Sequence, residues 1–211
     1  SSGIGAACAR LFAQSGYRVF AGARCNDKRP ETFDSGGQII PVIIDVSSET
    51  SVKAAIEALL TQTTDIGIVI HCAGIGIAGS AEDTPDEAAH LQMEVNYFGV
   101  LRVNRHILPC IRAKGKGLII VIGSVSGIFS IPFQSHYSSS KFALEAYTRA
   151  LRLEIEPFNI KATIIEPGDT KTGFTASRMF SLPADSPYEA ACRRSVAKME
   201  QDEQNGRSPN T

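Results

Sequence analysis

Residues 124–141 read SVSGIFSIPFQSHYSSSK. Ser124 is followed by Tyr137 and then, one helical turn later, by Lys141. Side chains at i and i+4 of an α-helix share a face. The segment after Pro132 has a helical spacing of apolar residues (Phe142, Leu144, Ala146, Ala150, Leu151, Leu153), and Pro157 ends it. Just upstream, residues 117–122 (GLIIVI) form a short branched apolar run. Such a run predicts a strand buried on both faces, as in parallel sheets. Ser124 therefore falls at the carboxyl end of a strand and Tyr137 in the first turn of the next helix. Open parallel sheets place their ligand crevice outside the carboxyl ends of their strands.

A serine, a tyrosine and a lysine so placed can do a limited chemistry. A free phenol titrates near pH 10 and is a weak base at neutrality. A nearby ammonium favours the phenolate and lowers that value. The tyrosine can then take a proton from an alcohol or give one to a carbonyl, while the serine hydroxyl holds the same oxygen. The trio carries no hydride acceptor of its own, so a cofactor must supply one.

Outward from this stretch, strands and helices alternate. Towards the amino terminus lie a helix over residues 84–113, with Thr84 as cap and Pro85 at its first position, and a strand over 66–70. Before them come a serine-capped helix over 48–61, a strand over 39–44, a broken polar stretch over 24–38, a strand over 18–23 and a helix over 5–14. Towards the carboxyl terminus a strand over 160–165 runs into Glu166-Pro167-Gly168. A loop over 173–186 and a helix over 187–204 follow, and 205–211 are turn residues. This alternation predicts an α/β fold: a doubly wound parallel sheet of Rossmann type, in three αβα layers. One domain spans 1–211, with 173–205 as its substrate-binding loop and helix. Asp65 and Glu94 are expected to pair locally, and His71 to be a packed or backbone-bonded histidine.

Composition narrows the function. The 211 residues are 43% hydrophobic and 20% charged, with a net charge of -1. Such a chain can bury a sizeable core, and without a basic stripe nucleic acid is not its expected partner. No apolar run reaches membrane-spanning length. The five cysteines are odd in number and lack metal-ligand spacing. They read as reduced thiols of a cytoplasmic protein, with no metal site expected.

Six motifs in order make the chain resemble the classical short-chain dehydrogenases/reductases over nearly its whole length. The glycine fingerprint survives as Ser1-Ser2-Gly3-Ile4-Gly5, and the N-N-A-G motif appears as His71-Cys72-Ala73-Gly74. Asn96 stands in N-x-x-G; Ser124, Tyr137 and Lys141 follow; Pro167, Gly168 and Thr172 match P-G-x-x-x-T. The run SVSGIFSIPF is similar to that of hydroxysteroid and retinol dehydrogenases. The family's first strand, central in its sheet, and its last strand have no counterpart here. The chain is expected to be a fragment whose sheet leaves two interior edges unpaired.

The resemblance assigns roles by position. Tyr137 is the catalytic acid/base, Lys141 lowers its pKa and binds the nicotinamide ribose, and Ser124 orients the substrate oxygen. Asn96 holds a water in a proton relay. Gly3, Ile4 and Gly5 pack against the pyrophosphate, Asp45 and Val46 contact the adenine, and Ala73 and Gly74 line the adenosine ribose. Pro167, Gly168, Thr170 and Thr172 hold the nicotinamide carboxamide. Homo-dimers or homo-tetramers are implied as well.

An NAD enzyme of this fold places a carboxylate at the end of its second strand to bind the ribose hydroxyls. Here Ala23 and Arg24 stand there, and a guanidinium matches a 2′-phosphate in charge and fork geometry. With Ser2 adding a hydroxyl, NADP(H) is expected in preference to NAD(H). The substrate is expected to be an apolar alcohol or ketone, met by Phe129, Ile131, Phe133, Phe174, Met179, Phe180 and Leu182. A non-catalytic NADP-sensing protein of the same fold, or an inactive truncated paralogue, are the alternatives.

Overall fold

The computed structural model describes residues 2–25, 29–168, 170–174 and 176–204. The chain runs through α1 (Gly3–Gln14), β1 (Arg18–Ala23), β2 (Glu31–Thr32), β3 (Gln38–Ile43) and α2 (Glu49–Leu60). Then come β4 (Ile68–His71), β5 (Ile77–Ala78), α3 (Asp86–Met93), a π-helical segment (Glu94–Phe98) and α4 (Gly99–Lys114). β6 (Gly117–Ile122), α5 (Ser135–Ile155), β7 (Ile160–Ile165), β8 (Met179–Phe180) and α6 (Glu189–Gln204) complete it. The class is the expected one, α/β with parallel strands and helices between them.

The parallel strands form two separate pieces. β1 pairs with β3 in parallel, Val19 opposite Ile39, and β2 joins the far edge antiparallel. β6 lies between β4 and β7, with Ile70 opposite Ile120 and Ile120 opposite Thr163. Among the described residues no ladder joins β1 to β4, so each keeps one interior edge without a strand beside it, as expected.

Burial explains the register of the helices. Val52 and Ile56 of α2, Val100, Ile107 and Ile111 of α4, and Leu144, Leu151 and Ile155 of α5 meet Ile119 and Val121 of β6. These positions recur at the i, i+3, i+4, i+7 spacing that puts one stripe of a helix on a sheet. Ser48 caps α2 by accepting from the Ser51 N–H at 3.3 Å. Gly115, with φ of 70°, ends α4 in the left-handed conformation that glycine adopts without strain. A smaller core of Ala78, Cys192 and Val196, flanked by Phe133, Leu182 and Met199, seats α6 over β5.

Several boundaries differ from those predicted. The helix assigned to 84–113 starts at Asp86 with Pro85 as its cap residue, while the Thr84 hydroxyl donates instead to the Ser80 carbonyl at 2.7 Å. It is also broken in its middle by the π segment around Asn96. The stretch 24–38 holds the two-residue β2, and 173–186 holds β8, which pairs with β5 in parallel. Both are too short to show periodicity. The tail 205–211 lies outside the described residues. Glu94 pairs with Arg102 on the same helical stretch, whereas Asp65, expected to pair locally, meets Lys114 at the far end of α4.

Candidate active site

Ser124, Tyr137 and Lys141 converge at the carboxyl end of β6. Ser124 follows the strand in extended conformation, and its Oγ accepts from the Ser126 N–H at 3.1 Å. The Tyr137 phenol, on the first turn of α5, lies near enough to the Ser124 side chain for that hydroxyl to favour its ionised form. Tyr137 is 8% exposed and Lys141 5%. The Lys141 Nζ stands 5.7 Å from the centroid of the Tyr137 ring and donates to the Ile122 carbonyl at 3.0 Å.

Burial governs both titrations. It pushes the Tyr137 phenol above its ordinary value, against the opposing pull of Ser124 and of the Arg178 guanidinium. The lowering expected of Lys141 is not among the causes. Burial brings Lys141 itself down to about 8, because an ammonium loses its hydration there. The site thus holds a protonated phenol beside an amine that exchanges its proton near physiological pH.

Asn96 is fully buried and spent on the segment after β4. Its Oδ1 accepts from the Ile75 N–H at 2.8 Å, and its Nδ2 lies 3.0 Å from the Ile75 carbonyl and 3.1 Å from the Ser140 Oγ. A Cβ on Gly74 would come 3.4 Å from Asn96 Oδ1 and 4.0 Å from Lys141 Nζ. Gly74 thereby adjoins Lys141 on α5. The π segment that carries Asn96 is a local departure of a kind frequent at functional sites.

The residues expected to hold a dinucleotide lie along the same end of the sheet. Gly3 opens α1 at φ of 51°, a backbone that excludes most side chains, and a Cβ on it would touch the Thr172 Cβ at 3.4 Å. That contact joins the start of α1, and with it Ser2 and Ile4, to the loop after β7. A Cβ on Gly5 would come 3.2 Å from the Cys72 Cβ, next to Ala73. In the loop, Pro167 accepts from the Val125 N–H at 3.1 Å, Thr170 Oγ1 donates to the Gly168 carbonyl at 3.1 Å, and Thr172 Oγ1 accepts from the Phe174 N–H at 3.1 Å.

On the other side of the sheet gap, Asp45 accepts from the Ser47 N–H at 2.9 Å and from the Ser47 hydroxyl at 2.6 Å. These bonds, with the nearby Arg24 and Arg102 charges, hold its carboxyl below its usual range. Val46 packs on the start of α4: a Cβ on Gly99 would come 2.8 Å from its Cγ2. Arg24 is exposed at the end of β1. A glycine-opened helix with a free first turn, facing a second loop, is a cradle for a dinucleotide phosphate, and the residues present fit one.

Residues 1–180 match the family model described as short chain dehydrogenase. The chain belongs to the short-chain dehydrogenase/reductase family. Members of this family are oxidoreductases that bind nicotinamide dinucleotides. Among relatives, a 3-ketodihydrosphingosine reductase of Bacteroides thetaiotaomicron is 36% identical over 211 residues, covering 99% of this chain and 76% of that protein. A probable short-chain type dehydrogenase/reductase of Helicobacter pylori is 36% identical over 181 residues, covering 82% of this chain and 64% of that protein. The chain thus spans about two thirds to three quarters of these relatives. Among solved structures, the 3-ketoacyl-(acyl-carrier-protein) reductase from Brucella melitensis complexed with NADH superimposes with a TM-score of 0.76 at 26% identity. That match covers 84% of this chain and 76% of the other.

This short-chain dehydrogenase/reductase departs from the family's N-N-A-G motif in a way the structure explains. His71 is packed, one of the two expected alternatives, and its Nε2 lies 2.8 Å from Oδ1 of Asn104, whose Nδ2 donates to the Tyr147 hydroxyl at 3.1 Å. Two residues escaped the sequence reading. Gln92 is buried, donates to the Ile75 carbonyl at 2.5 Å and accepts from the Ile77 N–H at 2.9 Å. Its only signal was an amide four residues before Asn96, on one helix face. Arg178 stands beside Tyr137; its signal was a single cation in the apolar run FTASRMFSL. Among the described residues, no helix is long and apolar enough to cross a membrane, and no cluster of three or more His, Cys, Asp or Glu could hold a metal.

Proposed function

We propose that this short-chain dehydrogenase/reductase interconverts a secondary alcohol and a carbonyl on an apolar small molecule, using NADP(H). The observation that carries this reading is the buried Tyr137 ring with the Lys141 Nζ 5.7 Å from its centroid and the Ser124 side chain acting on its phenol. The cofactor would supply or accept the hydride. Every other task falls to the chain. Ser124 and Tyr137 bind the substrate oxygen from two sides. In the reducing direction Tyr137 gives its proton to that oxygen, and Lys141, near its own pKa, restores the charge balance. A phenol kept protonated by burial is the form that reduction requires.

Positions around the cradle support the cofactor roles. Ser2, Gly3, Ile4 and Gly5 would hold the pyrophosphate, Ala73 and Gly74 the adenosine ribose, and Asp45 and Val46 the adenine. Pro167, Gly168, Thr170 and Thr172 would hold the carboxamide. The Arg24 charge near Asp45 supports a 2′-phosphate site there. Asn96 fixes the turn beneath Gly74, and a water relay would run from it to Lys141. The segment 173–205 would form the substrate wall: Phe174 lies 5.8 Å, centroid to centroid, from the Tyr137 ring. Assembly as a homo-dimer or homo-tetramer and a cytoplasmic setting belong to the same reading.

Tyr137→Phe tests it. Turnover of a carbonyl panel with NADPH should fall by about 100-fold or more, the usual contribution of a positioned acid. NADPH affinity should stay within about threefold on the same principle. Binding without turnover in either form would turn the reading into that of a cofactor-sensing protein.

A further inference from the structure

One guanidinium ties three segments together beside the loop that follows β3. Arg102 lies in the first turn of α4, and its side chain is 17% exposed. Its Nη1 donates to the Val46 carbonyl at 3.0 Å. Its Nη2 pairs with Glu94, the first residue of the π segment. Its Nε stands 3.8 Å from Glu49 Oε2, at the start of α2. Val46 in turn rests on α4: a Cβ on Gly99 would come 2.8 Å from the Val46 Cγ2 and 3.4 Å from its carbonyl oxygen. Gly99 lets the loop come this close, and Arg102 keeps it there.

The rest of the loop is held by its own neighbours. The Asp45 N–H donates to the Ser51 Oγ at 2.9 Å, and the Asp45 carboxylate accepts from the Ser47 N–H at 2.9 Å. Val46 is where the loop is tied to a distant helix. Arginine suits that task, because its planar fork carries several donors in fixed directions. The Glu94 and Glu49 carboxylates offset the cost of placing the charge there. The loop stands at the carboxyl end of a parallel strand, where the crevice of such a sheet lies. A ligand that meets a loop already in its bound conformation avoids the cost of ordering it. Asn96, on the same π segment, has separate bonds to Ile75 and Ser140. The turn at Gly74 is therefore anchored without Arg102.

We propose that Arg102 is a positioning residue for the dinucleotide: it holds the Val46 backbone in the conformation that receives the adenine, and acts through that backbone rather than by touching the cofactor. This rests on the placement of the adenine at Asp45 and Val46 proposed above. Loss of Arg102 weakens the adenine half of the cofactor selectively and leaves the chemistry of the bound cofactor unchanged.

The test uses the full-length protein and follows NADPH binding by its fluorescence, with displacement by adenosine 2′,5′-bisphosphate, 5′-AMP and nicotinamide mononucleotide. Arg102→Met should weaken NADPH and both adenine-bearing fragments by about tenfold, the range of a lost hydrogen bond to a charged group. Nicotinamide mononucleotide should bind as before. Arg102→Met/Glu94→Gln, which leaves Glu94 no unpaired charge, should show the same selective loss, and Arg102→Lys should restore part of the affinity. In turnover the change should appear in the KM for NADPH and not in kcat. Equal weakening of all three fragments, or of none, would overturn the assignment. So would a larger loss for the bisphosphate than for 5′-AMP, since Arg102 would then be meeting the 2′-phosphate itself. A wild-type protein that binds NADPH but neither adenine fragment would refute the adenine placement, and the role of Arg102 with it.

Discussion

Asn96 holds Ile75 by both of its backbone polar groups, accepting from the N–H at 2.8 Å and donating to the carbonyl at 3.0 Å. One buried amide therefore fixes the conformation of the segment on which Gly74 faces Lys141 of α5 and Gly76 faces Phe174. Gln92 adds a second bond to the same carbonyl and one to Ile77. The two amides replace the strand ladder that Ile75 lacks.

Asn96→Leu keeps the volume but strips both Ile75 groups of this partner. A buried backbone group left without a hydrogen bond costs about 1–3 kcal/mol. The variant should lose about 2 kcal/mol of unfolding free energy by this route, read from urea unfolding. NADPH affinity should fall as the Gly74 turn loosens. Gln92→Leu should cost a similar amount in stability and less in cofactor affinity, since Gln92 bonds Ile75 and Ile77 whereas Asn96 also adjoins Gly74. Equal losses of affinity in the two variants would mean that the turn, not Asn96 itself, is what the cofactor senses.

Arg24 decides the cofactor in the proposed reading. It is exposed at the end of β1, and its charge reaches the Asp45 carboxyl at the end of the neighbouring β3. A 2′-phosphate placed between them would meet the guanidinium as a charge-assisted pair. Arg24→Ala should raise the KM for NADPH by about tenfold or more, as expected for loss of such a pair, and leave that for NADH nearly unchanged. Steady-state kinetics with each cofactor reads the difference. Parallel changes would place Arg24 on the adenine face.

Much of this could be seen in the sequence because it depends on local pattern. The branched run GLIIVI and the spacing of Ser124, Tyr137 and Lys141 are enough to put these three side chains at the end of a strand and the start of a helix. The serine cap at Ser48 is equally local. What escaped depends on contacts between distant segments. β8 exists only because Met179–Phe180 meets Ile77–Ala78, and neither pair has a period of its own. The π segment at Asn96 keeps the helical periodicity on either side and leaves no mark in composition. The pKa of Tyr137 was expected to follow Lys141. In the folded chain burial raises it, and the pull the other way comes from the Ser124 side chain and from Arg178, 41 residues downstream.

His71 gives the protein an acid-sensitive core. It is 8% exposed, bonded to Asn104, and burial depresses its pKa to about 4 from 6.5. The unfolded chain takes up this proton below about pH 6.5, whereas the folded chain resists it until about pH 4. Between those values the unfolded state binds more protons, so stability falls as the pH drops through this window. The whole window is worth about 3 kcal/mol, and the fall from pH 7 to pH 5 about 2 kcal/mol. His71→Gln keeps a donor and an acceptor for Asn104 but does not titrate. Urea unfolding of both proteins at pH 7 and pH 5 should show the wild type losing about 2 kcal/mol more than the variant. The same loss in both would mean that acid sensitivity resides in the carboxylates and that His71 is already protonated in the native state.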